Sequence, residues 1–252
     1  MLIWLVLIPL IAAALIGLCK APARPTALLS ASLTLALGIW ALVSFDGCSS
    51  CWSRFEGMDL QLTLAPALSK VMLLLTILVT FATVLGTNPP QGGEASWYNS
   101  ALLISAGATG AFLSDNIISF FAFHELALIP TFVMIGLYGR GDRRTTAWRA
   151  TLYLGLASMV LLAALLMIGT QAGFTFSGLK DFMASGRELA HAELIGALLI
   201  AGFGTLISLF PFHSWAAPAY ASAPAPVAMM HAGVLKKFGL YGLFMFQPLM
   251  ET

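Results

Sequence analysis

Three stretches of this chain, Met1 to Cys19, Ala27 to Phe45 and Ala147 to Thr170, are each close to twenty residues long and almost free of charge. A helix needs about 20 mainly apolar residues, at about 1.5 Å each, to cross the hydrocarbon core of a bilayer. Backbone groups find no water in that core, so runs of this length select the helix, which satisfies them internally. The whole chain agrees: 59% of its residues are hydrophobic and 9% charged, against about 45–50% and about 25% in an ordinary soluble domain. A soluble globular fold is excluded. Twelve Lys and Arg against eleven Asp and Glu leave neither a basic surface for nucleic acid nor an acidic tail. The expected partner is the lipid bilayer, and nucleic acid is not one.

The same ruler adds Ser69 to Gly86, Asn99 to Ser114, Asn116 to Gly139, Glu193 to Phe210 and Pro226 to Phe246. The expected fold is therefore all-α, a polytopic membrane protein of about eight transmembrane helices. Pro211, Pro218, Pro224 and Pro226 cannot share one regular helix, so the seventh span is expected to be discontinuous. Residues 1–98 hold helices one to three and residues 99–252 hold helices four to eight. The first span has no basic segment before it and no small-residue cleavage site after it, so it is read as retained. Lys20 and Arg24, and Arg140, Arg143, Arg144 and Arg149 around the loop between spans five and six, lie on one side by parity, whereas Asp46, Glu56, Asp59, Asp181, Glu188 and Glu193 lie on the other. Cations mark the cytoplasmic side, so the expected location is a bacterial inner membrane with the N-terminus in the periplasm. Cys48 and Cys51 would then lie in an oxidising compartment, where a disulfide and two free thiols are both open readings. A metal site is not expected there.

Charges at membrane depth are expensive and need a reason. Glu125 stands nine residues into the span that starts at Asn116, too deep for a loop residue. It is either a structural ion-pair partner or a functional carboxylate. Lys237 is about halfway along the last span and too deep to reach either surface easily. A buried lysine readily gives up its proton, which suits it to a relay. His231 precedes Lys237 by six residues, about 9 Å along a regular helix and about 120° around it. One or two waters can join them, although an imidazole bonded to a backbone carbonyl is the plainer reading. Lys236 points about 100° away from Lys237 and suits a structural or interfacial role. His213 lies in the proline-rich break, where irregular backbone requires protein or a water-filled cavity, so it is a further relay candidate.

Asp115-Asn116-Ile117-Ile118-Ser119-Phe120-Phe121-Ala122-Phe123-His124-Glu125-Leu126-Ala127-Leu128-Ile129-Pro130 resembles the Asp-to-Glu-to-Pro segment of the antiporter-like subunits of respiratory complex I. The stretch from Phe210-Pro211-Phe212-His213-Ser214-Trp215 through Ala223-Pro224 to Ala232-Gly233-Val234-Leu235-Lys236-Lys237-Phe238-Gly239-Leu240-Tyr241-Gly242 resembles their broken seventh helix and lysine-bearing eighth. The likeness extends over essentially the whole chain and is closest to M-type subunits of bacterial NADH:quinone oxidoreductase. Mrp cation/proton antiporters and membrane hydrogenase subunits share the pattern. The resemblance implies a longer fold built on two inverted repeats, the first of which corresponds to residues 99–252. It places the relay glutamate at Glu125, the eighth-helix lysine at Lys237, and at His231 the histidine of L-type subunits. The seventh-helix lysine of the family falls on Leu206, five residues before Pro211, and Ser208 replaces a second proline. His213 is the candidate substitute.

The implied function is proton translocation by a membrane-arm subunit of NADH:quinone oxidoreductase through Glu125, His213, His231 and Lys237. Such a chain serves the enzyme as a translocase without a redox centre. Its three cysteines are too few and too scattered to ligate a cluster. NAD, FMN, iron–sulfur clusters and quinone are expected in partner subunits, and the other complex I membrane subunits are the expected partners. An Mrp-type antiporter or membrane hydrogenase subunit, and a non-translocating membrane scaffold, are the alternatives.

Overall fold

The computed structural model describes residues 1–44, 49–55, 58–90 and 92–249. Helices cover the expected spans: α1 (Ile3–Gly17), α2 (Ala23–Ser44), α3 (Ala67–Gly86), α4 (Glu94–Leu113), α5 (Ile117–Tyr138) and α6 (Arg143–Ala172). Four of these, α2, α3, α5 and α6, are long and apolar enough to cross a membrane, and α1 is a shorter apolar helix. The chain is thus a multi-pass membrane protein. The loop expected between the second and third spans contains an antiparallel hairpin, β1 (Ser49–Phe55) and β2 (Met58–Thr63). Cys48 lies outside the described residues, as does the side chain of Cys51, and with them the thiol-or-disulfide question.

Helix α4 has little lipid-like character because it has little lipid to face. It packs against α1, α2, α3 and α5, and nearly every residue from Trp97 to Leu113 is buried. A helix surrounded by helices needs small residues for close approach rather than a greasy outer face. Gly107 and Gly110 meet that need. A Cβ on Gly107 would lie 2.6 Å from the carbonyl oxygen of Phe123 and 2.7 Å from the amide nitrogen of Ala127, so the absent side chain sets the distance to α5. Residues Phe120, His124, Ala127 and Thr131 form the inner stripe of α5, at the three- and four-residue spacing of one helix face.

The ends of these helices are held by short polar links. Asn116 caps α5, its side-chain oxygen accepting from the amides of Ile118 and Ser119 at 2.9 and 3.0 Å, which satisfies two of the donors every helix start leaves open. Asp142 caps α6 through the Thr145 amide, and Thr175 caps α7 (Phe176–Ala184) through the Gly178 amide. The short α7 buries Phe176, Leu179 and Phe182 and leaves Lys180 and Asp181 exposed. That pattern belongs to a helix lying along the end of a bundle, and nine residues are too few to register as a span.

The seventh span is broken as expected. Helix α8 (Ala192–Leu206) stops at Leu206, an irregular turn follows, and the chain re-enters helix as α9 (Ala216–Ser222) and α10 (Ala225–Met230). Trp215, 1% exposed, closes the break by donating its indole N–H to the Thr205 carbonyl at 3.0 Å. Ser214 donates to the Tyr153 hydroxyl of α6 at 2.8 Å. After α10 the residues His231–Leu235 form a π-turn that leads into α11 (Lys236–Met245). Phe112, Phe120, Phe203, Phe238, Tyr241 and Phe246 fill the space where α4, α5, α8 and α11 meet. The Tyr241 hydroxyl donates to the Phe112 carbonyl at 3.3 Å and contacts Ser69 at 3.0 Å. A phenol has one proton to give, so Ser69 is the donor in the second bond.

Candidate functional site

Helix α5 carries two adjacent ionisable groups into the bundle on different faces. His124 turns inward and is 1% exposed, with its ring edge-on to Phe238 of α11 at 5.1 Å. Glu125 turns toward α6, where it lines a cleft with Thr131, Phe132, Thr151 and Leu154 and stands beside Ser158. The nearer carboxylate oxygen is 3.2 Å from Nδ1 of His124, an ion pair when the ring is protonated. Glu125, His124 and Ser158 thus form a compact polar cluster inside an apolar span.

A second cluster forms where α9 approaches the π-turn. His231 is 5% exposed and lies between Trp215 and Tyr220, at ring-centroid distances of 5.4 and 5.3 Å. Its Nδ1 is 3.1 Å from the Tyr220 hydroxyl, while Nε2 has no partner. In a regular helix Lys236 would point about 140° from His231. The π-turn changes this, because the Lys236 amide donates to the His231 carbonyl five residues back, which stacks the two residues on one face. The Lys236 ammonium consequently sits 4.8 Å from the Tyr220 ring centre and 5.9 Å from that of Trp215, within cation–π range. Lys237, like Lys236, is half-buried, and its helix stripe holds the exposed Leu240 and Phe244 together with the buried Tyr241.

The four residues singled out in the sequence are therefore not gathered in one place. Glu125, its side chain 29% exposed, and the buried His231 occupy separate clusters, and Lys237 is half-buried on α11. His213 is exposed in the break, its ring 5.6 Å from Phe210, away from the Glu125 cleft. Leu206 is buried against Gly239 of α11. Two participants escaped the sequence reading. His124 and Tyr220 are not singled out by the sequence; only their adjacency to Glu125 and to His231 marks them out.

The fold and the site define a polytopic helical membrane protein with a broken helix and ionisable side chains buried at membrane depth. Residues 114–252 match the family described as "NADH:quinone oxidoreductase/Mrp antiporter, TM". NAD(P)H-quinone oxidoreductase chain 4 2 of Microcystis aeruginosa is 34% identical over 182 residues, which is 70% of this chain and 32% of that protein. Chain 4 1 of Picosynechococcus sp. is 32% identical over 198 residues, 76% of this chain and 36% of that one. The chain thus spans about a third of the length of these curated relatives. Among solved structures, a chain of respiratory complex I from Thermus thermophilus with bound NADH superposes with a TM-score of 0.84 at 25% identity, over 99% of this chain and 53% of that one. A chain of the Mrp complex from Dietzia sp. superposes with a TM-score of 0.81 at 21% identity, over 97% of this chain and 47% of that one, a likeness of fold. The chain belongs to the NADH:quinone oxidoreductase/Mrp antiporter family.

Proposed function

We propose that this chain acts in proton translocation as part of a membrane-arm subunit of an NADH:quinone oxidoreductase, with electron transfer occurring in other subunits. The observation that carries the reading is Glu125, a carboxylate within an apolar span, 3.2 Å from the ring of a buried histidine. A group in that setting is held because its charge is used. Glu125 and His231 are the interior proton carriers. Lys237, half-buried at mid-span, requires cover from protein or water and passes the proton onward. His213, exposed in the break, is the point of exchange with the aqueous side. NAD, FMN, iron–sulfur clusters and quinone belong to the partner subunits, and the other membrane subunits of the complex are the partners in the bilayer. The cationic loops at Lys20 and Arg24 and at Arg140 to Arg149 support a bacterial inner-membrane orientation with the N-terminus in the periplasm. The proposed organisation remains helices one to three over residues 1–98 and an antiporter-like repeat over residues 99–252.

Glu125→Gln tests this reading. In vesicles holding the assembled complex, the variant is expected to lower NADH-driven proton pumping by about tenfold or more. Wild-type pumping would remove Glu125 from the relay. A purified assembly without flavin or iron–sulfur absorbance that exchanges Na⁺ for H⁺ would instead support the Mrp branch of the family.

A further inference from the structure

We propose that Lys236, held by Trp215 and Tyr220 beside His231, is a proton-carrying residue of this chain. The inference rests on the proton-translocating role proposed above and adds a residue and a step to it. Lys236 has no carboxylate within ion-pair distance among the described residues. Its ammonium is instead held by the faces of two rings, at 4.8 and 5.9 Å. Such contacts attract a cation without fixing it as firmly as a buried ion pair would. Each ring is itself located: Trp215 by its bond to the Thr205 carbonyl and Tyr220 by its contact with Nδ1 of His231.

The groups facing this site from the packed elements are few. Lys237 follows on the same helix, Tyr220 and Trp215 come from α9, Tyr153 of α6 reaches the break through Ser214, and α3 and α5, which also pack against the π-turn, carry Lys70, His124 and Glu125. The carboxylate on these elements, Glu125, is engaged with His124 and Ser158 on the α6 side of α5. Lys236 and His231 share the same two rings, and two positive charges this close in a medium of low dielectric repel strongly. The pair therefore holds one proton more readily than two. Transfer within the pair runs through an intervening water, since Nε2 of His231 has no protein partner: an N–H bond at Nζ of Lys236 breaks, leaving the electron pair on that nitrogen, the water takes that proton and gives up another, and an N–H bond forms at Nε2 of His231. One cation is consumed and one is made, so no further reactant is needed. The Tyr220 hydroxyl, bonded to Nδ1, orients the accepting ring. The π-turn is what makes the pair, since a regular helix would turn Lys236 away from His231 by about 140°.

Lys236→Arg separates this role from a structural one. Arginine keeps a cation over the rings but does not release its proton at accessible pH. In the assembled complex in vesicles, Lys236→Arg is expected to leave subunit assembly intact on native gels and to lower NADH-driven pumping at least tenfold. Tyr220→Phe keeps the ring under the ammonium, removes only the hydroxyl, and is expected to slow pumping and shift its pH profile. Pumping by Lys236→Arg at the wild-type rate overturns the proposal, as does a Tyr220→Phe complex with unaltered rate and pH profile. Glu125→Gln measured alongside distinguishes the two readings. If it abolishes pumping while both cage variants behave as wild type, only the Lys236 step fails; if all three pump normally, the relay itself is absent.

Discussion

Replacing Gly107 by alanine probes the contact that positions Glu125. The new Cβ would lie 2.6 Å from the Phe123 carbonyl oxygen and 2.7 Å from the Ala127 amide nitrogen, about 0.8 Å inside ordinary van der Waals contact. Both obstacles are backbone atoms of α5, so no rotamer change relieves them and the helices must separate. Overpacking of this kind costs about 2–3 kcal/mol, and the helix propensity gained on replacing glycine returns about 1 kcal/mol. The net loss is about 1–2 kcal/mol, or roughly 2–8 °C in Tm for a chain of this size. Gly136→Ala is the matched control, since its Cβ would lie 3.6 Å from that of Ala147, where only the propensity gain operates. Thermal unfolding in detergent should therefore move the two variants in opposite directions. A Gly107→Ala protein as stable as Gly136→Ala would refute the claim that this glycine sets the α4–α5 distance. Because the displaced helix carries Glu125 toward α6, the same variant should also pump more slowly.

Two further outcomes follow from the polar groups of α5. Asn116→Ala removes the cap of that helix and should cost about 0.5–2 kcal/mol, seen as faster hydrogen exchange at the Ile118 and Ser119 amides; unchanged exchange there would contradict the capping role. His124→Phe replaces two buried ring nitrogens by an apolar ring of similar size, so thermal stability should hold or rise while proton pumping falls. A variant that loses stability instead would show that His124 is a packing residue.

How much of this was legible before the fold is best judged residue by residue. The depth of Glu125 in its span follows from counting, and α5 bears it out. The break near Pro211 follows from proline chemistry, and α8 stops at Leu206. The hairpin between α2 and α3, and the helix at Phe176–Ala184, were not anticipated. Both are short, and neither produces a signal on a scale tuned to bilayer thickness. His124 and Tyr220 were overlooked because their importance lies in having Glu125 and His231 beside them, which is a property of contacts rather than of composition.

What the linear chain settles is the set of segments that must be helical and lie in lipid. The reason is local, since each span has to bond its own backbone wherever its neighbours are. Which way each side chain looks is settled only by packing. A single π-turn, stabilised where His231 lies against Trp215 and Tyr220, rotates the helix after it. Lys236 rather than Lys237 then faces the buried histidine. The two lysines are neighbours in sequence and nearly indistinguishable by depth, yet it is Lys236 that lies over the Trp215 and Tyr220 rings. Helix rotation depends on contacts made by residues far apart in the chain, and hydropathy along the sequence carries no record of it.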